Sequence, residues 1–290
     1  MESSNFSLHK QSILVDQNSI GRAGNLTSVN VRCPVCSSGS AYAPFWKTPC
    51  FHRCEGCGVI FRYPFPDVAI LSHLYRTSWI SPDQNKAETG ATEIINTHSL
   101  VKFLTRSIGN ANLAGQNILD FGAGRGAMTI ALLQKGAHVI AVEPFGYDRL
   151  VDLGVSTYRD LEGLPREVRF DGIILLEVLE HLPEPRRTLE QLHEHLVPGG
   201  WLFITTPNPA GLPAKLRGER WREAVRPGHV LFFTPPTLKS LLLESGFSRI
   251  ERPRRFVRYT GKMQPRTILN FAMQLTLLDG GLRVIAFKNR

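Results

Sequence analysis

From Asn117 onward the chain alternates short apolar runs with segments of helical periodicity, and this alternation limits the possible folds more than any other feature of the sequence. Asn117–Phe121, His138–Val142, Phe170–Leu176 and Trp201–Thr205 are short, almost uniformly apolar runs, so each predicts a strand buried on both faces. Helical patterns near 125–135, 184–196 and 235–245 fall between or after them. Strands separated by helices pair side by side, which predicts an α/β fold with a parallel sheet and helices on both faces. The pattern continues to the end: Gly246–Ile250 begins a further strand, 267–278 predicts a helix and Leu282–Phe287 a last strand.

The part before this region has a different character. Residues 1–30 are polar, Ser/Asn-rich and aperiodic, and predict a disordered arm. All five cysteines then fall between positions 33 and 57, four of them as Cys33-Pro-Val-Cys36 and Cys54-Glu-Gly-Cys57 across a seventeen-residue gap. Each C-x-x-C turn aims two thiolates at one point, and two such turns complete the tetrahedral sulfur shell that Zn2+ prefers. The alternatives are a redox pair or simple buried thiols. Four thiolates would leave no open coordination position, so the expected zinc is structural, in a small ribbon over 31–66. Cys50 has no assigned role. Helical spacing in Asp67–Tyr75 and Glu93–Leu104 predicts a helical linker over 67–115, ahead of the main domain at 116–290.

Apolar residues make up 42% of the 290-residue chain, enough to bury a substantial core. It has no run of eighteen apolar residues and its opening segment lacks the apolar stretch of a secretory signal, so a cytoplasmic protein without a membrane span is expected. The net charge of +9 is compatible with an anionic partner and equally with a solvated basic surface. Its densest cluster is Arg249, Arg252, Arg254, Arg255 and Arg258.

The stretch ILDFGAGRGA, 118–127, places a strand, an acid and alternating glycines where the first strand of the sheet turns into its helix. Ligands of open parallel sheets bind there, outside the carboxyl ends of the strands. Gly122 and Gly124 permit unusual backbone angles and close approach to a ligand. Asp120 would repel a pyrophosphate and suits an ammonium group instead. Glu143, ending the next strand, is placed to accept both hydroxyls of a ribose. Asp160, with Leu161 beside it, follows a third strand, where an adenine amino group would meet the carboxylate. Ribose, adenine and a cationic amino acid together describe S-adenosylmethionine (SAM). Gly122-x-Gly124-x-x-Ala127 also fits a dinucleotide fingerprint, so an NAD-dependent oxidoreductase stays as an alternative.

ILDFGAGRGAMTIALLQKGAHVIAVEP resembles the cofactor-binding segment of class I SAM-dependent methyltransferases. FDGIILLEVLEHLPEP and HLVPGGWLFITTPNP resemble the segments after strand 4 and around strand 5 of that family, chiefly its ubiquinone-pathway O-methyltransferases, over about residues 115–288. CPVC…CEGCGVIFRYPFPD, followed by a short helix and a tyrosine, is similar to the zinc-ribbon leader of a bacterial subgroup that includes sugar C-methyltransferases. The resemblance implies a Rossmann-like, mostly parallel seven-stranded sheet preceded by a small zinc ribbon. It also covers GHVLFFTPPTLKSLLLESGF, Gly228 to Phe247, and implies that His229 faces the active site.

Methyl transfer from a sulfonium needs the acceptor positioned and, for many acceptors, deprotonated. Glu177, Glu180 and His181 follow the fourth strand, at the cofactor edge of the sheet. His181 is the first candidate for the base because imidazole titrates near neutrality; the alternative is a histidine that caps or packs the loop. Glu180 would orient it or hold a hydroxyl, and His229 is the second candidate. The segment after strand 4 lacks the Asp/Asn-Pro-Pro-aromatic motif of enzymes that methylate amino groups of nucleic acids. Methylation of pyrimidine C5 needs a nucleophilic cysteine, and none lies beyond Cys57. An oxygen or activated carbon of a small molecule is therefore the expected acceptor, of sugar, phenol or polyketide type. Residues 211–222 predict a lid whose arginines, with Arg226, either meet a phosphate or are simply solvated. Two further alternatives are an RNA methyltransferase docking through the ribbon and a catalytically silent SAM-binding scaffold. Few Lys/Arg in the ribbon (Arg32, Lys47, Arg53, Arg62) argue against a nucleic-acid partner.

Overall fold

The computed structural model describes residues 32–39, 42–46, 50–66, 68–75, 87–109, 112–253, 272–273 and 278–290. The expected arm at 1–30, most of the expected helix at 267–278, and Arg254, Arg255 and Arg258 of the basic cluster lie outside the described residues. The elements in chain order are β1 (Tyr42–Pro44), β2 (Phe51–Cys54), β3 (Ile60–Arg62), α1 (Val68–Leu74), α2 (Ala87–Ser107), β4 (Asn117–Phe121), α3 (Ala127–Leu133), β5 (His138–Val142), α4 (Tyr147–Asp152) and β6 (Ser156–Tyr158). They continue with β7 (Phe170–Leu176), α5 (Pro185–His195), β8 (Leu196–Pro207), α6 (Leu212–Arg217), β9 (Leu231–Phe232), α7 (Pro235–Glu244), β10 (Arg249–Glu251) and β11 (Gly281–Phe287).

Seven strands form one sheet in the order β10-β11-β8-β7-β4-β5-β6. From β6 to β8 the neighbours are parallel, whereas β11 runs antiparallel to both β8 and β10. The expected α/β sheet, seven-stranded and mostly parallel, is the one observed. The chain winds outward from β4 through β5 to β6, then returns to the other side of β4 with β7. The carboxyl end of β4 is thus the topological switch point, the place where ligands of open parallel sheets occupy the crevice outside the strand ends. Ile118 of β4, Ile174 of β7, Phe203 of β8 and Ile285 of β11 join one core with Phe103 and Leu104 of α2 and Leu132 of α3. β8 starts five residues earlier than the apolar run Trp201–Thr205 suggests, because Leu196 already pairs with Phe170 and the strand passes through an irregularity at Pro198-Gly-Gly200, where Gly199 has φ +78°.

A second sheet, β1-β2-β3-β9, is antiparallel. Its fourth strand does not come from the cysteine-rich segment. Ile60 pairs with Phe232 and Phe61 with Leu231, so the stretch between α6 and α7 completes the sheet. The core beneath is shared in the same way: Phe51 and Ile60 pack with Ala214, Trp221, Ala224 and Phe232, flanked by Phe45, Trp46 and Cys50. Trp46 meets Phe51 and Trp221 edge-on, with centroids 4.9 and 6.3 Å apart. The expected lid, 211–222, is α6 followed by a 3-10 turn at Gly218–Arg220, and its apolar face is buried against the cysteine-rich segment.

Gly172, in β7, shows how closely the main core is packed. The Trp201 ring lies where its Cβ would be, within 2.1 Å of that position. Gly172→Ala should therefore destabilise the protein by about 1–3 kcal/mol through overpacking, measured as a lower urea midpoint with unchanged m-value.

Candidate active site

Four sequence-predicted residues meet at the carboxyl ends of β4 and β5. Gly122 and Gly124 have φ of +76° and +55°, a region that L side chains avoid. At Gly122 the space is also taken, since a Cβ would stand 2.4 Å from Val178 Cγ2; at Gly124 a Cβ would meet nothing within 4 Å. Gly122 therefore lets the loops after β4 and β7 touch, and Gly124 presents bare backbone to the crevice.

Asp120 is almost fully buried behind this turn, and Thr129 of α3 donates its hydroxyl to Oδ2 at 2.6 Å. Burial pushes its pKa up to about 6 even though the Thr129 bond opposes the shift. The Glu143 carboxylate accepts from three backbone N–H groups: Gly124 at 2.8 Å, Phe145 at 2.8 Å and Gly146 at 3.1 Å. It thereby ties the glycine turn to the loop after β5. Asp160 Oδ1 accepts from the Gly163 N–H at 2.8 Å in a tight turn past β6, and Leu161 beside it is buried.

The loop after β7 carries the rest. Glu177 has φ +56°, an uncommon and strained value for a residue with a side chain, and accepts from the Thr205 hydroxyl at 2.9 Å. Glu180 and His181 stand in the 3-10 turn Leu179–His181 that follows. Glu180 is fully buried; Thr206 donates to its Oε2 at 2.9 Å, while Oε1 is buried without a hydrogen-bond partner. Burial first, and Glu177 second, raise its pKa well above the usual carboxylate range.

His181 Nδ1 lies 2.7 Å from the Gly228 carbonyl and 2.8 Å from the Tyr75 hydroxyl. A carbonyl only accepts, so this approach requires the proton on Nδ1, and in the neutral ring the lone pair then belongs to Nε2. Burial lowers the His181 pKa to about 4, which keeps the ring neutral. His229, fully buried, packs edge-on against it with centroids 4.7 Å apart. Burial, then His181 and nearby arginines, lower the His229 pKa to about 2. Its 3.7 Å approach to Glu223 is therefore no ion pair, and Glu223 is matched instead by Arg222 and Arg226 at 2.7 and 3.1 Å.

Glu223, in the segment after α6, is a member of this cluster that sequence patterns do not indicate, and Tyr75, the tyrosine just past α1 in the leader resemblance, joins it without having been expected at the site. Tyr75 is 106 residues from the histidine it touches. The glycine in Gly228-His229 gives a partial signal: a Cβ at 228 would stand 2.7 Å from the Tyr75 hydroxyl and 3.3 Å from His181 Nδ1. Only glycine fits there.

Among the described residues, two groups of side chains have donors close enough to share a metal ion. The sulfurs of Cys33, Cys36, Cys54 and Cys57 all lie within 4.8 Å of one another, with Cys33–Cys57 and Cys36–Cys54 both 3.6 Å apart. A tetrahedral thiolate shell with metal–sulfur bonds of about 2.3 Å has edges of about 3.8 Å, so the four residues fit such an ion. Ligand atoms of Glu180, His181 and His229 also lie within 4.8 Å of one another.

A family model described as "Methyltransferase domain" matches residues 95–251, more than half of the chain. The ubiquinone biosynthesis O-methyltransferase of Pseudomonas aeruginosa (strain UCBPP-PA14) is 37% identical over 109 residues, which cover 34% of this chain and 47% of that one. Its counterpart from Pseudomonas syringae pv. tomato is 38% identical over 109 residues, with the same coverage of 34% and 47%. The chain thus spans about half the length of the curated relatives it matches. The crystal structure of Burkholderia thailandensis 1,6-didemethyltoxoflavin-N1-methyltransferase, with S-adenosylhomocysteine (SAH) bound, covers 83% of this chain and 99% of its own at TM-score 0.52. At 19% identity that likeness concerns the fold. The match decides between the two cofactors that the glycine turn allows, in favour of SAM over a nicotinamide dinucleotide. With the switch-point crevice and its glycine turn, it identifies the chain as a member of the class I SAM-dependent methyltransferase family.

Proposed function

We propose that the chain transfers the methyl group of SAM to an oxygen or activated carbon of a small molecule, with His181 Nε2 receiving the acceptor's proton. The 2.7 Å approach of the Gly228 carbonyl to Nδ1 carries this reading, because it fixes the tautomer in which Nε2 is the basic atom. The O-methyltransferase names of the curated relatives support the acceptor class. Bound SAM supplies an electrophilic methyl group with an excellent leaving group. Asp120 and Glu143 would hold its amino and ribose groups, and Asp160, Leu161 and Glu177 would line the same rim. A base as weak as His181 removes a proton efficiently only from an acceptor that is already acidic, which favours a phenol, enol or activated C–H over an aliphatic hydroxyl.

That weakness also supports a second reading. A divalent ion held by Glu180, His181 and His229 would act as a Lewis acid toward a bound hydroxyl, and the unpartnered Glu180 Oε1 is the atom it would engage. In the cysteine-rich segment we assign a structural Zn2+ to Cys33, Cys36, Cys54 and Cys57. Metal analysis of the purified protein separates the two readings: one zinc per chain with activity insensitive to mild chelators supports His181 as the unaided base, whereas a second, exchangeable ion whose removal stops turnover supports Lewis-acid assistance. Cys57→Ser should abolish the zinc and lower the thermal midpoint.

His181→Ala should keep SAH affinity and lower turnover by about 10²–10⁴-fold; wild-type turnover would end its assignment as the base. With SAM saturating, so that cofactor binding does not limit the rate, the acid limb of kcat/KM for the acceptor should lie near pH 4 rather than at the 6.5 of a free imidazole, since the base form persists above its folded pKa. Asp120 must be ionised to attract an ammonium group, so calorimetry should show SAH affinity falling as pH drops below about 6. Asp120→Asn should flatten that dependence, and Asp120→Ala or Glu143→Ala should weaken SAH by about 10–100-fold.

A further inference from the structure

Arg62 ends β3, in the cysteine-rich segment, yet its guanidinium is spent on the segment that carries His229. Nη2 donates to the Ala224 carbonyl at 2.6 Å and to the Arg226 carbonyl at 3.3 Å, and Nε donates to the His229 carbonyl at 3.4 Å. Its own backbone N–H donates to the Val230 carbonyl at 2.8 Å. Its charged face covers the Phe51 ring, 4.6 Å from the centroid. The carbonyls of 226 and 229 flank Gly228 on either side, so the one carbonyl of this turn that faces His181 is held between two that face Arg62.

We propose that Arg62 is a positioning residue of the methyl-transfer site: by gathering the carbonyls of Ala224, Arg226 and His229 it presses the Gly228 carbonyl onto His181 Nδ1 and so selects the imidazole nitrogen that can take a proton. The inference rests on His181 as the base. The other side of the contact is fixed independently, since the His181 N–H donates to the Val178 carbonyl at 2.9 Å and the Val230 N–H donates to the Glu180 carbonyl at 3.0 Å. The turn itself is closed by the His229 N–H donating to the Arg226 carbonyl at 3.2 Å, and three donor contacts from one rigid planar fork add the side-chain restraint that orients it. A lysine has the charge but cannot span three carbonyls, because its donors radiate from a single atom. Glu223 adds to the need for such a clamp: the neighbouring side chains Arg222 and Arg226 are drawn to its carboxylate and leave the backbone carbonyls of the turn to Arg62.

The test uses the full chain with SAH bound and labelled at the histidine ring nitrogens, with the His181 signal assigned by its loss in His181→Asn. In the wild type NMR should show the Nδ1–H tautomer alone. Arg62→Met should give a mixture of both tautomers and Arg62→Lys a smaller share of the wrong one. SAH affinity and zinc content should be unchanged in both, and turnover should fall in proportion to the lost Nδ1–H population. A pure Nδ1–H tautomer in both variants overturns the role of Arg62. Loss of SAH binding in both overturns it too, in favour of a general part in folding; where only the methionine variant fails to fold, the lysine variant decides. A tautomer that follows Arg62 while His181→Ala turns over normally overturns the base assignment and with it the catalytic meaning of the clamp.

Discussion

A carbonyl oxygen 2.7 Å from an imidazole nitrogen is the contact around which the acceptor side of this protein is arranged. The imidazole is buried, so water cannot substitute for the missing partner, and an unfavourable tautomer would leave two acceptors facing each other in a poorly solvated space. Three separate parts of the chain converge to avoid that: the 3-10 turn after β7 brings the ring, the segment before β9 brings the carbonyl, and the residue after α1 brings a hydroxyl that shares the same nitrogen. The absence of a side chain at 228 favours the arrangement, because a Cβ there would stand 2.7 Å from the phenol oxygen and push it away.

The cofactor side follows a different principle. Asp120 is desolvated and close to neutrality in its titration, whereas Glu143 is solvated by backbone, its two oxygens accepting three N–H groups from two loops. The first acid is a desolvated carboxyl whose side-chain partner is the Thr129 hydroxyl. The second is a brace that sets the distance between the glycine turn and the loop after β5. That distance is small: a Cβ at Gly146 would fall 2.2 Å from the Gly124 carbonyl oxygen. The two acids of the rim, alike in sequence context, thus differ in work because one has backbone partners and the other has only a threonine.

Much of this is legible in the sequence wherever the cause is local. β4, β5 and β7 coincide with their apolar runs, α5 and α7 agree with their periodic segments to within a residue or so, and the paired C-x-x-C turns bring their sulfurs together. Gly122 and Gly124 have the positive φ that their place in the turn suggests. Contacts set by tertiary structure are not legible. β9 is two residues long, below the length at which alternation can be seen, and nothing in Leu231-Phe232 announces that its partner is Ile60-Phe61. Tyr75 reaches the site from the segment read as a helical linker, and Glu223 from just beyond the expected lid at 211–222. His195, on a helix whose spacing suggests a polar face, is buried and bonds the Val168 carbonyl at 3.0 Å, because α5 packs more deeply than its composition implies.

The pairing of β9 with β3 also bears on how the chain is made. Arg62 and His229 are 167 residues apart, an interval that takes a ribosome about 10–30 s to cross. Throughout that interval the nascent amino-terminal hairpins lack the neighbour that will cover Phe51 and Ile60, and β3 is left as an open edge. The structural ion proposed for the four thiols would, once captured, be a local means of holding those hairpins together while synthesis proceeds. A cell starved of that ion would then expose a sticky edge on every growing copy, and the cost would appear as aggregation during translation rather than as a slow enzyme afterwards.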